Sequence, residues 1–419
     1  MFEKTTLANG IRVVTERMPE LHSVSVGFWV DAGSRHEEIA LSGISHFLEH
    51  MLFKGTETRS ARDIAKEIDY VGGVLNAFTD REFCCYFAKV LGDKLPKAVD
   101  ILADLLLHSV FDPVEIEKER KVILQELHMI EDSPDDLIHD MLCESIWKDH
   151  PLGHSVIGRV PTVNRIDRED LLQLLENHYR GCRLMVCAAG DVDHLELVRR
   201  VETAFASIPP GEPIPTVPAP RHHAAVQIVE KDLEQVHLCL AYPGVPQNHP
   251  QRFAMNLINT ILGASMSSRL FQTVREERGL AYSIYSYLNS HSDTGALVIY
   301  GGTAPEDVQQ LLEVTQEQLC NLKNFRVEDT ELERAKGQLK GGLLLSLESS
   351  DNRMSRLAKG EIFLGRQYGI DEIVNEIHRV TPEMIQEMAN RLFVSGTCNL
   401  QMIGRVDPAA FNSSSLSLS

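Results

Sequence analysis

The chain has 419 residues, 43% apolar and 24% charged, with a formal net charge of −19. That length exceeds one hydrophobic core and predicts two domains, and the composition is that of an ordinary globular protein. The acidic balance argues against nucleic-acid binding, and no apolar run is long enough to span a bilayer.

In chain order, Met1-Phe2-Glu3-Lys4 lacks a basic stretch followed by an apolar one, so no secretory signal is expected and the chain reads as cytoplasmic. Asn9-Gly10 predicts a hairpin turn between residues 5–7 and 11–14. Val24, Val26, Phe28 and Val30 alternate as a half-buried strand, and residues 83–90 read as another. Helices are predicted over 61–71, 94–107, 113–130 and 168–177. Hairpins mixed with such helices predict an α+β fold, a mostly antiparallel sheet with helices packed on one face.

Between the first two strands and the helix over 61–71 lies His46-Phe47-Leu48-Glu49-His50. Ile44, Phe47, Leu48, Met51 and Leu52 form an apolar stripe, with Ser42 placed to cap the start, so the segment reads as a helix. Side chains three and four apart share a helical face, so His46, Glu49 and His50 converge as two metal ligands and a general base. The order reverses the commoner His-Glu-x-x-His, and it is itself a zinc peptidase signature.

A catalytic zinc takes three protein ligands and a water, so one ligand is still to be found. In the helix over 113–130, Ile116, Glu119, Ile123, Glu126 and Ile130 recur at steps of three and four and put two carboxylates in an apolar stripe. Buried unpaired carboxylates are costly. Either one cation serves both, with Glu126 as third ligand and Glu119 behind it, or the helix turns them to solvent beside Arg120 and Lys121.

Six of the 18 prolines fall between Pro209 and Pro220 and mark an extended connector. The flanking halves repeat. Ile166-Asp167-Arg168-Glu169-Asp170-Leu171 and, later, Gly190-Asp191-Val192-Asp193 recur 214 residues on as Val380-Thr381-Pro382-Glu383-Met384-Ile385 and Gly404-Arg405-Val406-Asp407. The expected organisation is residues 1–208 with the metal site, a linker over 209–222, a homologous domain over 223–410 and a disordered tail over 411–419. The second copy places Ala335 and Gly342 where the first has Glu119 and Glu126, and it has no His-x-x-Glu-His. Folding alone therefore does not demand those residues, and one metal ion per chain is expected. The eight cysteines form no spaced framework and read as reduced packing residues.

His46-Phe47-Leu48-Glu49-His50, continued by Met51-Leu52-Phe53-Lys54-Gly55-Thr56 and followed by Glu119 and Glu126, resembles the pitrilysin/insulinase family of zinc metallopeptidases, and within it the mitochondrial-processing-peptidase-like branch. Gly72-Gly73-Val74-Leu75-Asn76-Ala77-Phe78-Thr79, Ser268-Arg269-Leu270-Phe271 and Arg278-Gly279-Leu280-Ala281-Tyr282 also match, so the resemblance runs over nearly the whole chain. It implies two related α+β domains closed around a cavity. It implies one zinc held by His46, His50 and Glu126, with Glu49 as general base and Glu119 orienting a ligand histidine or supporting Glu126. Peptide would join a sheet edge at Asn76 and Ala77 and be reached by Arg275 and Tyr282.

The implied activity is hydrolysis of peptide bonds in oligopeptides or presequence-like segments by a zinc-activated water. A non-catalytic structural or regulatory subunit is the other class that fold supplies. The intact His46, Glu49, His50 and Glu126 favour the first, as does the short loop Leu262-Gly263-Ala264-Ser265-Met266, where regulatory subunits carry a glycine-rich insertion. Relatives of this length imply a homodimer. Acidic residues around the ligand helix, Glu115, Glu117, Glu131, Asp132, Asp135 and Asp136, either favour basic peptides or serve solubility.

Overall fold

The computed structural model describes residues 2–215 and 217–411. The expectation of a disordered tail falls, beyond Phe411, outside those residues. The strands are β1 (Phe2–Thr6), β2 (Arg12–Arg17), β3 (Ser23–Val30), β4 (Val74–Thr79), β5 (Cys84–Leu91), β6 (Leu184–Gly190), β7 (Ala225–Glu230), β8 (Val236–Pro243), β9 (Ala281–Ser290), β10 (Gly295–Thr303) and β11 (Asn399–Gly404). The helices of the first half are α1 (Ile44–Leu52), α2 (Ala61–Tyr70), α3 (Leu95–His108), α4 (Pro113–Glu131), α5 (Pro134–Ile146), α6 (Val160–Arg165), α7 (Arg168–His178) and α8 (His194–Ala204). Those of the second are α9 (Arg252–Leu262), α10 (Val308–Asn324), α11 (Asp329–Ser346), α12 (Ser350–Lys359), α13 (Ile370–Arg379) and α14 (Pro382–Leu392).

The fold is α+β with two sheets. One has the order β1-β2-β6-β3-β5-β4, the other β7-β11-β8-β10-β9. The β2–β6 and β7–β11 pairs are parallel and the remaining pairs antiparallel. Apart from β1 the two orders correspond strand for strand, and the 214-residue offset carries α7 onto α14 residue for residue. Asn9-Gly10 makes the expected turn between β1 and β2, with Gly10 at φ +92°.

Two compact units result, and a single cut at the proline-rich segment does not describe them. Among the described residues, the first takes 2–129, 154–215, 217 and 346–367, the second 130–153, 218–345 and 368–411. The units depart from the divisions 1–208 and 223–410 in that each takes a helix from the other half of the chain. In the second unit α5 buries Ile138, Leu142, Cys143 and Ile146 against Cys239, Ala241, Ala296 and Val298. In the first, α12 buries Met354, Leu357 and Ala358 against Val14, Trp29, Cys85 and Met185.

This exchange corrects two expectations about the sheets. Helices cover both faces, not one, and β3 is buried nearly throughout instead of on alternate residues. On one side Phe28 stacks on Phe205, with ring centroids 5.2 Å apart. On the other Ser25 Oγ lies 2.8 Å from Ser350 Oγ, and a Cβ on Gly27 would come within 2.8 Å of Met354 Sδ. Burial of the second face needs partners from 325 residues along the chain, which the local pattern cannot announce. None of the eight cysteines is joined in a disulfide. Among the described residues no helix is long and apolar enough to cross a membrane.

Candidate metal centre

Helix α1 presents Ile44, Phe47, Leu48, Met51 and Leu52 to the core and leaves His46, Glu49 and His50 half-buried on another face. Its start differs from expectation, because Ser42 is not the cap. Gly43 holds that place at φ +94°, a left-handed conformation that favours glycine. A Cβ there would meet the Ile157 carbonyl oxygen at 2.5 Å. The first N–H groups are satisfied from upstream instead. Glu37 Oε2 accepts from Gly43 N–H and its Oε1 from Ser45 N–H, each at 2.8 Å. Burial pushes the Glu37 carboxyl up to about 7 against these hydrogen bonds. Ser42 instead closes the preceding turn, its N–H donating to the Ile39 carbonyl, and its own carbonyl accepts from Thr162 Oγ1 at 2.7 Å.

Helix α4 buries Ile116, Glu119, Ile123 and Leu127 and brings Glu126 to the edge of that stripe. His46 Nε2 then lies 3.8 Å from Glu126 Oε2, and His50 Nε2 lies 3.6 Å from the same oxygen. One ligand atom from each of the three residues lies within 4.8 Å of the others, and among the described residues this is the one such group. Ligands of tetrahedral zinc, at bond lengths of about 2.0–2.1 Å, sit about 3.3 Å apart, so the two measured pairs are only a few tenths wider.

The donor chemistry fits a divalent ion of borderline softness. Burial, helped by neighbouring His50, lowers His46 to about 4, which keeps its ring neutral with a lone pair to give. His50 Nδ1 lies 3.0 Å from Glu119 Oε2, which leaves its Nε2 for the ion. Two imidazole nitrogens and a carboxylate oxygen suit zinc, and would also accept manganese or cobalt.

Glu49 Oε2 accepts from Thr79 Oγ1 at 2.5 Å. Burial raises the Glu49 carboxyl above its ordinary value, the Thr79 hydrogen bond opposing. Asn76 and Ala77 lie on β4, the outer strand of the first sheet, opposite Phe87 and Tyr86 of β5. Ala77 N–H donates to Asn76 Oδ1 at 2.8 Å. In the second unit the Arg275 guanidinium sits 4.5 Å from the Tyr282 ring centroid and 4.8 Å from that of Phe271. Tyr282 is 78% exposed at the start of β9, the outer strand of its sheet.

Three residues escaped the reading of the sequence. Thr79 was legible as the end of the strand carrying Asn76, and Lys54 stands four positions after His50, just past the end of α1. Glu37 had no local signal.

The sequence model of the insulinase family (peptidase family M16) matches residues 12–160, and that of the peptidase M16 inactive domain matches 165–339. The chain is 43% identical to an uncharacterized zinc protease of Bacillus subtilis over 94% of its own length and 96% of that protein. It is 40% identical to one of Streptomyces coelicolor (92% and 86%) and 38% identical to one of Rickettsia felis (98% and 99%). Among solved structures it resembles a protease from Helicobacter pylori, with TM-score 0.88, 22% identity and coverage of 96% of this chain and 99% of that one. It also resembles a peptidase M16 inactive domain from Pseudomonas fluorescens, with TM-score 0.90, 20% identity and coverage of 96% and 98%. At such identities these two structures speak for the fold alone.

Proposed function

We propose that this chain, which belongs to the insulinase family (peptidase family M16), is a zinc-dependent endopeptidase that cleaves oligopeptides or presequence-like segments. The observation that carries the reading is the convergence of His46 and His50 from α1 with Glu126 from α4, beside the Glu49 carboxylate. Relatives called zinc proteases support zinc as the ion.

His46 Nε2, His50 Nε2 and a Glu126 carboxylate oxygen would hold the ion. The chemistry zinc supplies when bound is polarisation of the scissile carbonyl and acidification of a water. Glu49 is the base in this reading. With Oε2 held by Thr79, its Oε1 is free to take the proton and later pass it to the leaving amine. Burial, which raises its carboxyl, makes it a better base than an exposed glutamate.

The outer strand β4 offers an extended peptide a backbone partner at Asn76 and Ala77. Tyr282 offers an exposed hydroxyl to a peptide carbonyl, with Arg275 stacked on its ring. The charge of −19 supports a preference for basic peptides. A homodimer belongs to the same reading, and sedimentation of active protein as a monomer would remove it.

The test is Glu49→Gln, assayed for peptide cleavage and metal content together. The expected result is bound zinc with turnover lost, and unchanged turnover would refute the assignment of the base.

A further inference from the structure

Lys54 follows the last turn of α1, and its side chain reaches across to α4. Its Nζ lies 2.6 Å from Glu119 Oε1, while Glu119 Oε2 lies 3.0 Å from His50 Nδ1. The Glu119 side chain is only 7% exposed, that of Lys54 29%. The two oxygens of one buried carboxylate are thus divided between an ammonium and a ring nitrogen.

That division has a consequence for the metal. A buried carboxylate seeks a donor on each oxygen and, in the low-dielectric interior, a counter-charge. With Oε1 held by Lys54, Oε2 can only face His50 Nδ1. There it accepts a hydrogen bond from Nδ1–H and leaves Nε2 on the side of Glu126 Oε2, 3.6 Å away. Remove the ammonium and nothing in this contact pair keeps the carboxylate plane fixed or its charge compensated. Glu119 can then rotate away from the ring, which leaves His50 Nδ1 without a fixed acceptor and the ring free to turn its Nε2 away from the ion site.

We infer that Lys54 is a positioning residue for the metal site, acting on His50 through Glu119. The inference rests on the zinc reading above and deepens it. Lys54 touches neither the ion nor the reacting atoms. Its effect is to fix which nitrogen of His50 is free.

A bridge that merely ties α1 to α4 would lower stability and leave intrinsic metal affinity alone. The experiment therefore measures zinc affinity by competition with a chromophoric chelator, beside the melting temperature of the metal-free protein. The proteins are wild type, Lys54→Met, Lys54→Arg, Glu119→Gln and the double variant Lys54→Met/Glu119→Gln. Loss of a partner behind a metal-binding histidine weakens metal binding by about 10–100-fold. Lys54→Met should therefore bind zinc about tenfold more weakly, Lys54→Arg should restore affinity, and the double variant should bind no worse than Glu119→Gln.

Wild-type affinity in Lys54→Met, or losses that multiply in the double variant, would overturn the inference. If Lys54→Met does not fold, Lys54→Gln, which removes the charge and keeps a polar end, makes the same comparison. Wild type that takes up no zinc would sink the metal reading itself and this inference with it. Wild type that binds zinc while Lys54→Met matches it would sink the inference alone.

Discussion

Thr79 Oγ1 donates to Glu49 Oε2 at 2.5 Å, so the last residue of the outer strand β4 holds the carboxylate proposed as the base on α1. A strand that receives substrate would in this way also aim the base that takes the proton of the attacking water. A hydrogen bond to a charged group contributes about 1.5–3 kcal/mol, which corresponds to roughly 10–100-fold. Thr79→Val, which keeps shape and strand propensity, should lower kcat by about tenfold or more with zinc content and KM little changed. Thr79→Ser should retain activity. Steady-state kinetics of the pair decide it, and equal kcat in wild type and Thr79→Val would remove Thr79 from the mechanism.

Glu37 gives a pH dependence whose sign is set by burial. Its ordinary carboxyl value is 4.5, and in the folded chain it rises to about 7. The folded state therefore holds a proton that the unfolded state has released, so stability falls as pH rises from the first value through the second. At about 1.4 kcal/mol per unit, the loss is about 3 kcal/mol across that window. Glu37→Gln stays neutral and should lack this slope. Urea midpoints in the presence of chelator, taken from pH 4.5 to 8, should show wild type losing ground to the variant as pH rises. Parallel curves would mean that Glu37 does not titrate there.

At Gly43 the constraint is backbone geometry. Its φ of +94° and the 2.5 Å approach of a would-be Cβ to the Ile157 carbonyl leave no room for a side chain. The facing residue, Gly158, has φ +82° and is equally confined. Strain of this kind costs about 1–3 kcal/mol, more where backbone must shift. Gly43→Ala should lower the melting temperature and loosen the first turn of α1, where Glu37 holds Gly43 and Ser45. An unchanged melting temperature would show that the loop at Ile157 yields freely.

The sequence revealed the local features and concealed the distant ones. The metal helix, the stripe on α4 and the Asn9-Gly10 turn are patterns of neighbouring residues, set by helical or strand periodicity. The repeat was legible because both copies lie in one chain. Ser42 misled because a serine before an apolar run looks like a cap, while the groups at that helix start are bound by a glutamate up to eight residues upstream. The Glu119 contact to His50 spans 69 residues and the α12 contact to β3 spans more than 320. No periodicity encodes either. Both α5 and α12 are amphipathic helices that either sheet could have received, so only the packed structure decides which sheet each one covers.

Helix exchange makes a prediction of its own. Met354 of α12 is buried against the first sheet, in the cluster with Trp29, Cys85 and Met185. A buried methionine cut to alanine costs about 2–5 kcal/mol. Met354→Ala should therefore lower amide-exchange protection in β3 and β6 of the first unit, while β8, β10 and β11 keep theirs. Loss confined to the second unit would contradict the assignment of α12.

Metal stoichiometry follows from comparing the two copies. In α4 the stripe carries Glu119, which is buried, and Glu126, which faces the histidines. In α11 the corresponding positions are Ala335, buried among the apolar residues of the second unit, and Gly342, where an added Cβ would meet nothing within 4 Å. The second copy thus fills the place of one carboxylate with a methyl group and leaves that of the other bare, and it packs well with neither. Among the described residues the His46, His50, Glu126 group has no counterpart there. Elemental analysis of the purified chain should give one zinc per chain. His46→Ala/His50→Ala should bring that close to zero without unfolding the second unit, as judged by amide exchange in β8 and β10. A residual full equivalent of zinc in that double variant would place the ion elsewhere and overturn the site.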